Sequence, residues 1–155
     1  MKLRICPLIL TFVFIFANIS YPDPYSNFMV LISAKNGDLA GVKKAISGGA
    51  DINAISNALL QASFEGHYEI AKLLIEKGAN VNITDDRQGI TVLMYAVAGR
   101  NIEIIKLLLK HGANVNDKNN EGKTALDIAM AFSSPNRTEI IRILKAAGAR
   151  IGRGN

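Results

Sequence analysis

The sequence has little cysteine, no tryptophan and few aromatic residues of any kind. Cys6 is the one cysteine among 155 residues, and aromatic residues make up 6% of the chain. A single cysteine excludes a disulfide within one chain and a cysteine-rich zinc site. The excess of positive over negative charge is also small, since 18 basic residues against 13 acidic ones give a formal net charge of +5. Such a mild, scattered excess does not form the clustered basic surface of a nucleic-acid-binding protein, so we expect no nucleic-acid partner.

Residues 1–20 have the pattern of a secretory signal peptide. Lys2 and Arg4 precede an apolar run from Ile5 to Ala17. A run of about thirteen residues matches the core of a signal peptide, whereas a membrane-spanning helix needs roughly twenty. We therefore expect an exported protein, either periplasmic or secreted.

The cleavage site of this leader is weak. Cleavage after Ala17 or Ser20 is expected, but the positions two residues upstream hold Ile15 and Asn18 instead of small residues. The alternative is an uncleaved segment, residues 5–19, that anchors the protein in the inner membrane. A membrane is expected as a partner only in that case. Residues 21–25 are interpreted as a linker to the domain that follows.

One short phrase recurs along the chain with a period near thirty-three residues. It consists of Gly-Ala, then an acid or amide, an aliphatic residue and Asn, and its last copy is degenerate. The four copies, called tags below, are Gly49–Asn53, Gly78–Asn82, Gly112–Asn116 and Gly148–Ile151. Self-similarity at this spacing predicts a stack of small supersecondary units, which offers surfaces for binding and lacks a pocket for chemistry.

Each period contains two apolar segments that predict a pair of helices. In the third unit, Thr91 is expected to cap a short helix, Arg100 and Asn101 to form a turn, and Gly112 to end a second helix that starts at Ile102. The helices predicted in the other units span 27–36 and 39–47, 57–65 and 68–77, and 124–132 and 138–147. The second unit is about four residues short, which predicts a clipped connection from the first. The fourth has about three extra residues near 133–137.

These features resemble the ankyrin-repeat family over about residues 26–151. That family's unit has a hairpin finger, a Thr-Pro-Leu-His-x-Ala helix start, a Gly-His turn and a second helix that ends in Gly-Ala-Asp-Val-Asn; Thr124–Ala129 and Gly66–Ile70 match closely. The resemblance implies an all-α repeat solenoid with hairpin fingers. Its four repeats would span about 26–53, 54–82, 83–116 and 117–151, with residues 152–155 as a tail.

Two departures from the family pattern lie in the third unit. Thr91–Met94 lacks the family's proline and histidine, and Arg100 stands where glycine usually takes a positive φ. The second departure predicts strain or a shifted turn. We also expect both ends of the stack to be capped by charged residues, with Lys43 and Lys44 exposed at the start. With both ends capped, we expect a monomer that folds alone.

The resemblance implies a non-enzymatic module that binds a protein partner on its concave surface. The residues that match the family's inner-helix ends and fingertips are Lys35, Asn36, Phe64, Glu65, Asp86, Arg87, Gln88, Ile90, Asn120, Glu121, Lys123 and Phe132. Phe64 and Phe132 can instead fold back into the core. The segment Asp85–Arg87 can equally be a solvated turn with an internal salt bridge.

A short exported array of this kind is similar to bacterial envelope proteins, which favours a module exported to the bacterial envelope. The alternatives are a membrane-tethered adaptor and a secreted effector that acts on a host or neighbouring cell.

No group of residues predicts an active site, a metal site or a cofactor. His67 and His111 belong to different units and to opposite ends of the second helix, so they are expected to be structural. Asp85 and Asp86 occupy an open fingertip, and the serine pair at 133–134 has no histidine within reach. We therefore expect no enzymatic activity, no cofactor and no small-molecule substrate.

Overall fold

The structure is a computed structural model that describes residue 23 and residues 25–152. The predicted signal segment, residues 1–20, lies outside the described residues. Within the described part, eight helices follow one another: α1 Ser26–Asn36, α2 Leu39–Ser47, α3 Ile52–Glu65, α4 Tyr68–Glu76, α5 Val92–Ala98, α6 Ile102–Lys110, α7 Ala125–Ala131 and α8 Arg137–Ala146.

The helices form four antiparallel pairs stacked in chain order. Within a pair, α1 packs on α2, α3 on α4, α5 on α6 and α7 on α8. Between pairs, the inner helices α1, α3, α5 and α7 make most of the contacts, whereas the outer helices α2, α4 and α6 touch more lightly. This arrangement confirms the predicted all-α repeat solenoid.

One core runs through the stack because the same positions of each repeat are apolar. Leu59, Leu93 and Leu126 occupy one position of the inner helices, and all are at most 2% exposed. Leu74, Leu108 and Leu144 occupy one position of the outer helices and have no exposed surface. A helix that packs between two neighbouring repeats needs apolar residues on more than one face, which explains the wide apolar surface of α6.

The predicted cap of the third repeat is confirmed, and the helices of the fourth repeat begin and end within one residue of the predicted bounds. Thr91 caps α5, since its Oγ1 accepts a hydrogen bond from the Met94 N–H at 3.2 Å. Thr124 and Asp127 form a reciprocal capping box at the start of α7. Arg100 has φ +61°, the only positive φ among the non-glycine residues that the structure describes.

The start of α3 was predicted wrongly. The helix begins at Ile52, five residues before the expected start, because Asp51 caps it by accepting the Ala54 N–H at 2.8 Å. The residues of the first tag therefore begin a helix instead of a finger. The clipped connection that the sequence predicted is a complete loss of the finger between α2 and α3.

The expectation of a fully capped first repeat is wrong for α1. Lys43 and Lys44 on α2 are exposed, as expected. However, the side of α1 that no other described helix covers exposes Tyr25, Phe28, Met29 and Ile32. A terminal unit lacks a neighbour on one side, and here the uncovered side of the inner helix is apolar.

Candidate functional site

A row of aromatic and cationic side chains lies on the inner helices and in the turns just after them, on the side that the resemblance to ankyrin repeats assigns to the concave surface. We call Phe64, Tyr95, Arg100 and Phe132 the concave row. Phe64 is 44% exposed, and its ring meets Tyr95 edge to face with centroids 6.0 Å apart. The Arg100 guanidinium lies over the Phe132 ring, 5.0 Å from its centroid. Both geometries are favourable contacts for these groups.

Hydrogen bonds between repeats hold the helix ends that carry this row. Asn101 Nδ2 donates to the carbonyl oxygens of Ser63 at 2.8 Å and Phe64 at 3.0 Å. Any side chain at Gly99 would collide with the Phe64 carbonyl, so the backbones approach closely there. One repeat earlier, His67 Nε2 lies 3.0 Å from the Lys35 carbonyl oxygen. His67 is therefore structural, as the sequence indicated, and Phe64 projects from a fixed backbone.

The finger between the second and third repeats is organised by Asp85. Its Oδ1 accepts the N–H groups of Gln88 at 2.9 Å and Ile90 at 3.0 Å, and its Oδ2 accepts the Tyr95 hydroxyl at 2.8 Å. The expected salt bridge inside Asp85–Arg87 is wrong. Among the described residues, the ion pairs are Lys106–Glu103, Lys123–Glu121 and Arg142–Glu139. Backbone N–H groups and a phenol satisfy the Asp85 carboxylate instead.

These hydrogen bonds perturb both ionisable groups. Partial burial by itself raises the pKa of Asp85, but the N–H groups of Gln88, Ile90 and Gly89 and the Tyr95 hydroxyl outweigh it, so the Asp85 pKa is lowered. Burial, followed by the hydrogen bond and the charge of Asp85, raises the pKa of Tyr95 to about 12. Near neutral pH, Asp85 is charged and Tyr95 is protonated, which is the pairing that holds the finger against α5.

A second finger, between the third and fourth repeats, is bonded to the first. The Asn120 N–H donates to the Gln88 carbonyl oxygen at 2.9 Å, and its Nδ2 donates to that of Arg87 at 3.2 Å. The Asn119 side chain accepts the N–H groups of Glu121 and Lys123 and so fixes the turn. The two fingertips therefore form one surface.

The second and third tags connect successive repeats through their last asparagine. Asn82 Oδ1 accepts the Asn114 N–H at 2.8 Å, and its Nδ2 donates to the Gly112 carbonyl oxygen at 3.2 Å. Asn116 makes the same two bonds with Arg150 at 2.7 Å and Gly148 at 3.1 Å. This ladder favours a surface that is already arranged before any partner binds.

The structure places most of the twelve residues predicted for partner binding on the surface. Ile90 and Phe132 are partly buried against the core. The exposed ones are Lys35, Asn36, Phe64, Glu65, Asp86, Arg87, Gln88, Asn120, Glu121 and Lys123. Phe64 lies beside Tyr95, and the two fingertips meet, whereas Lys35 and Asn36 lie at the end of α1, in the repeat that precedes that of Phe64.

Sequence reasoning did not select Tyr95 or Arg100 for the site. The sequence does carry a signal for Arg100, because an arginine in place of the usual turn glycine predicts backbone strain. Tyr95 and Asp85 are ten residues apart in the sequence, and their hydrogen bond joins α5 to the finger. No sequence pattern indicates that link.

The described residues hold no cluster of three or more His, Cys, Asp or Glu side chains that could bind a metal ion. None of the eight helices combines the length and the apolar character that crossing a bilayer requires.

Comparison with known proteins agrees with the geometry. The family model for ankyrin repeats (3 copies) matches residues 28–119 and, in an overlapping second match, residues 59–155. The chain is also 36% identical over 76 residues to a Caenorhabditis elegans protein described as "Ankyrin repeat and KH domain-containing protein mask-1". That match covers 46% of this chain and only 3% of the nematode protein.

Proposed function

Because this chain belongs to the ankyrin-repeat family, a family of protein–protein interaction modules, we propose that it binds one folded protein partner on its concave row and fingertips. The observation that carries the proposal is the half-exposed Phe64 ring, packed edge to face on Tyr95. A large aromatic side chain left accessible on a rigid scaffold is a frequent anchor of protein interfaces.

The surroundings of Phe64 fit the usual anatomy of an interface. The Arg100 guanidinium is fixed by stacking on Phe132, so a partner group that pairs with it meets an arginine that has already lost much of its freedom. Polar fingertip residues, among them Arg87 and Gln88, form a rim on one side. Since the tags and Asn101 hold the backbone, binding is expected to proceed with little change of shape.

We also propose that the module acts in the bacterial envelope after export. The support is the charged start and the apolar run of residues 5–17, together with a sequence that has no cysteine after Cys6. The match to the nematode protein is too short to bear on this point, and the partners of that protein are not carried over.

Site-specific photocrosslinking tests the binding surface. The photoreactive amino acid p-benzoylphenylalanine replaces Phe64 or Gln88 in the full chain, which is expressed in its native host. The matched control replaces Tyr68, an exposed aromatic residue at the start of an outer helix. The proposal expects the same single partner to be captured from positions 64 and 88 and not from 68. Capture from Tyr68 alone would move the interface to the outer face.

N-terminal sequencing of the protein recovered from each cell fraction tests export. A periplasmic protein that begins just after Ala17 or Ser20 is the expected result. Recovery from the membrane fraction with Met1 intact would identify a tethered adaptor instead. Processed protein found chiefly in the culture medium would favour the secreted effector.

A further inference from the structure

The outer side of α1 carries an exposed apolar stripe at the N-terminal end of the stack. Tyr25, Phe28, Met29 and Ile32, called the α1 stripe below, are 69%, 60%, 44% and 38% exposed. Their spacing of three and four residues places them on one face of the helix. A contiguous exposed apolar surface on a folded domain is a common mark of an interaction site.

Comparison of equivalent positions shows why this face is open. Ser33, Ala62 and Ala96 are equivalent because the carbonyl oxygen of each accepts the N–H that starts the next turn, and Met29, Ala58 and Val92 each lie four residues before them. Ala58 and Val92 have no exposed surface, whereas Met29 is 44% exposed. The second and third repeats have a preceding repeat to pack against, and the first has none among the described residues. Met29, in the middle of the α1 stripe, thus lies at a position that a further helical unit would cover.

The first repeat also has a cleft beside the stripe. Gly41 stands eight residues before its tag, where the other repeats have a buried isoleucine, and Ala45 stands where they have a buried leucine. A cleft of about 220 Å³ lies beside these residues, between α1 and α2. It is lined by Asp23, Ser26, Met29, Gly41, Lys44 and Ala45.

The charges around the stripe are arranged with opposite signs at its two ends. Asp23 precedes the start of α1, and Lys35 lies in its last turn, three residues after Ile32. Neither is among the described ion pairs. Asp38, in the turn after α1, accepts the Gly41 N–H at 2.9 Å and so directs its charge at the start of α2.

We propose that the α1 stripe is covered by a second copy of this chain, with the two α1 helices antiparallel about a two-fold axis between Phe28 and Met29. Tyr25 of each copy then lies against Ile32 of the other, and Asp23 lies close to Lys35 of the other. In a two-fold contact, each charged end of one stripe meets the oppositely charged end of the other, and the assembly stops at two copies. Head-to-tail stacking would instead place the stripe on the last repeat, where Arg142 and Lys145 are exposed.

The size of the stripe sets the strength of this association. Its four side chains expose apolar surface on the order of 400 Å², about half of the ~800 Å² that each partner contributes to a standard interface. The dimer is therefore weak and rapidly reversible. The sequence predicted a monomer, and the proposed dimer takes its place. Since the dimer leaves the concave row free, this proposal does not depend on the proposed protein partner.

Analytical ultracentrifugation of the full chain tests the dimer. The weight-average mass is expected to rise towards twice the monomer mass between about 10 and 500 µM. Ile32→Glu should abolish this rise, whereas Met130→Glu, at a residue equally exposed in α7, should leave it unchanged. Association that survives Ile32→Glu would show that another surface is used. A chain that stays monomeric over the whole range would show that the stripe is open or is covered by residues 1–22. Either result overturns the proposal.

Charge reversal tests the antiparallel register. Asp23→Lys and Lys35→Glu should each weaken dimerisation about tenfold, and the double variant should restore it. Failure of the double variant to restore association, with circular dichroism showing folded protein, overturns this register.

A symmetric crosslink and a lipid control complete the test. In a Cys6→Ser background, Met29→Cys should form a disulfide-linked dimer under mild oxidation, and Lys72→Cys, on the exposed side of α4, should not. Vesicles of phosphatidylglycerol and phosphatidylcholine provide the alternative occupant. Binding to vesicles that Ile32→Glu abolishes, without any dimer in solution, would assign the stripe to a membrane surface instead.

Discussion

The first and third repeats share one two-helix plan but distribute their large apolar residues in opposite ways. In the third repeat, Leu93 and Met94 on the inner helix and Ile104 and Leu108 on the outer helix are at most 1% exposed. In the first repeat, Gly41 and Ala45 stand at the positions of Ile104 and Leu108. Its large apolar residues are exposed instead, and they are Tyr25, Phe28, Met29 and Ile32. The third repeat has neighbours on both sides, whereas the largest fully buried side chains of the first are Val30 and Val42.

This difference shows how a repeat stack divides stability from recognition. Each repeat contacts only its neighbours, so an interior repeat gains stability from two interfaces and a terminal repeat from one. A terminal repeat that keeps large apolar residues on its open side does not gain the stability of burying them within its own chain. The repeat can gain that stability by binding another molecule. The finger and the strained turn of the third repeat face the proposed partner, whereas the first repeat has neither.

The largest expected difference concerns the core. Leu93→Ala should lower the free energy of unfolding by about 2–5 kcal/mol, since a leucine with neighbours on both sides leaves a cavity that cannot collapse. Val42→Ala in the first repeat, also fully buried, should cost only about 1–2 kcal/mol because it removes two methyl groups at the end of the stack. Urea unfolding followed by far-UV circular dichroism measures both. Equal losses would show that the first repeat is as firmly packed as the third.

The repeat plan could be predicted from the sequence because each tag marks the end of a second helix. The turn glycines, the Thr91 cap and the strained Arg100 all follow from residue type at a fixed distance from a tag. The start of α3 could not be predicted this way, because Asp51 can serve either as a finger residue or as a helix cap. Only the packing of the residues after it decides between the two.

The open face of α1 was missed for a different reason. Two exposed lysines on α2 indicated a capped end, but the inner helix turns a different face to solvent, and its register against α3 is a property of the packed stack. The Asp85–Tyr95 bond is also a tertiary contact, formed only when the finger folds back on α5. The binding role of the twelve selected residues stays a prediction, although the structure places ten of them in solvent.

The next largest difference in stability is expected at the turn between the inner and the outer helix of a repeat. Gly66, with φ +89°, would place a Cβ 2.7 Å from Asn101 Oδ1, so Gly66→Ala should cost about 1–2 kcal/mol. Arg100→Gly, at the equivalent turn of the third repeat, should instead gain up to about 1 kcal/mol. It relieves a positive φ, and the lost contact with Phe132 offsets part of that gain. Thermal unfolding of the two variants tests these opposite signs.

Partner binding sharpens the same comparison. If Arg100 is retained for recognition, Arg100→Gly should raise stability and reduce the photocrosslinking yield from position 64. A variant that is more stable and crosslinks as well as the wild type would show that the strain at Arg100 is unrelated to binding.

The finger of the third repeat makes stability depend on alkaline pH in a way that the first repeat does not share. The acid dependence, in contrast, has a counterpart in Asp51 of the first repeat, whose pKa is also lowered, chiefly by the Ala54 N–H. The folded state raises the pKa of Tyr95 from 10.0 to about 12, so it binds this proton more tightly than the unfolded chain does. The resulting stability is fully present below about pH 10 and is lost as the pH rises to about 12. The Asp85 pKa is lowered instead, so its contribution is present above pH 3.8 and is lost as the pH falls further.

Urea titrations at a series of pH values measure the loss of stability at alkaline pH and the loss at acid pH. Tyr95→Phe should remove the alkaline loss and reduce the acid one, because it deletes the hydroxyl that donates to Asp85. Tyr25→Phe, at an exposed tyrosine of the first repeat, is the matched control and should leave the profile unchanged. An alkaline loss that persists in Tyr95→Phe would assign it to another group.

The smallest expected effect is that of Phe28→Ala on the isolated chain. Phe28 is 60% exposed, so its removal should change the free energy of unfolding by less than about 0.5 kcal/mol at low micromolar protein concentration. At high concentration the wild type should gain stability, because dimerisation favours the folded state by mass action, and Phe28→Ala should lack this gain. A loss of several kcal/mol at low concentration would place Phe28 in a core within one chain. Only a comparison of the two concentrations separates an apolar side chain that stabilises its own repeat from one that stabilises an assembly.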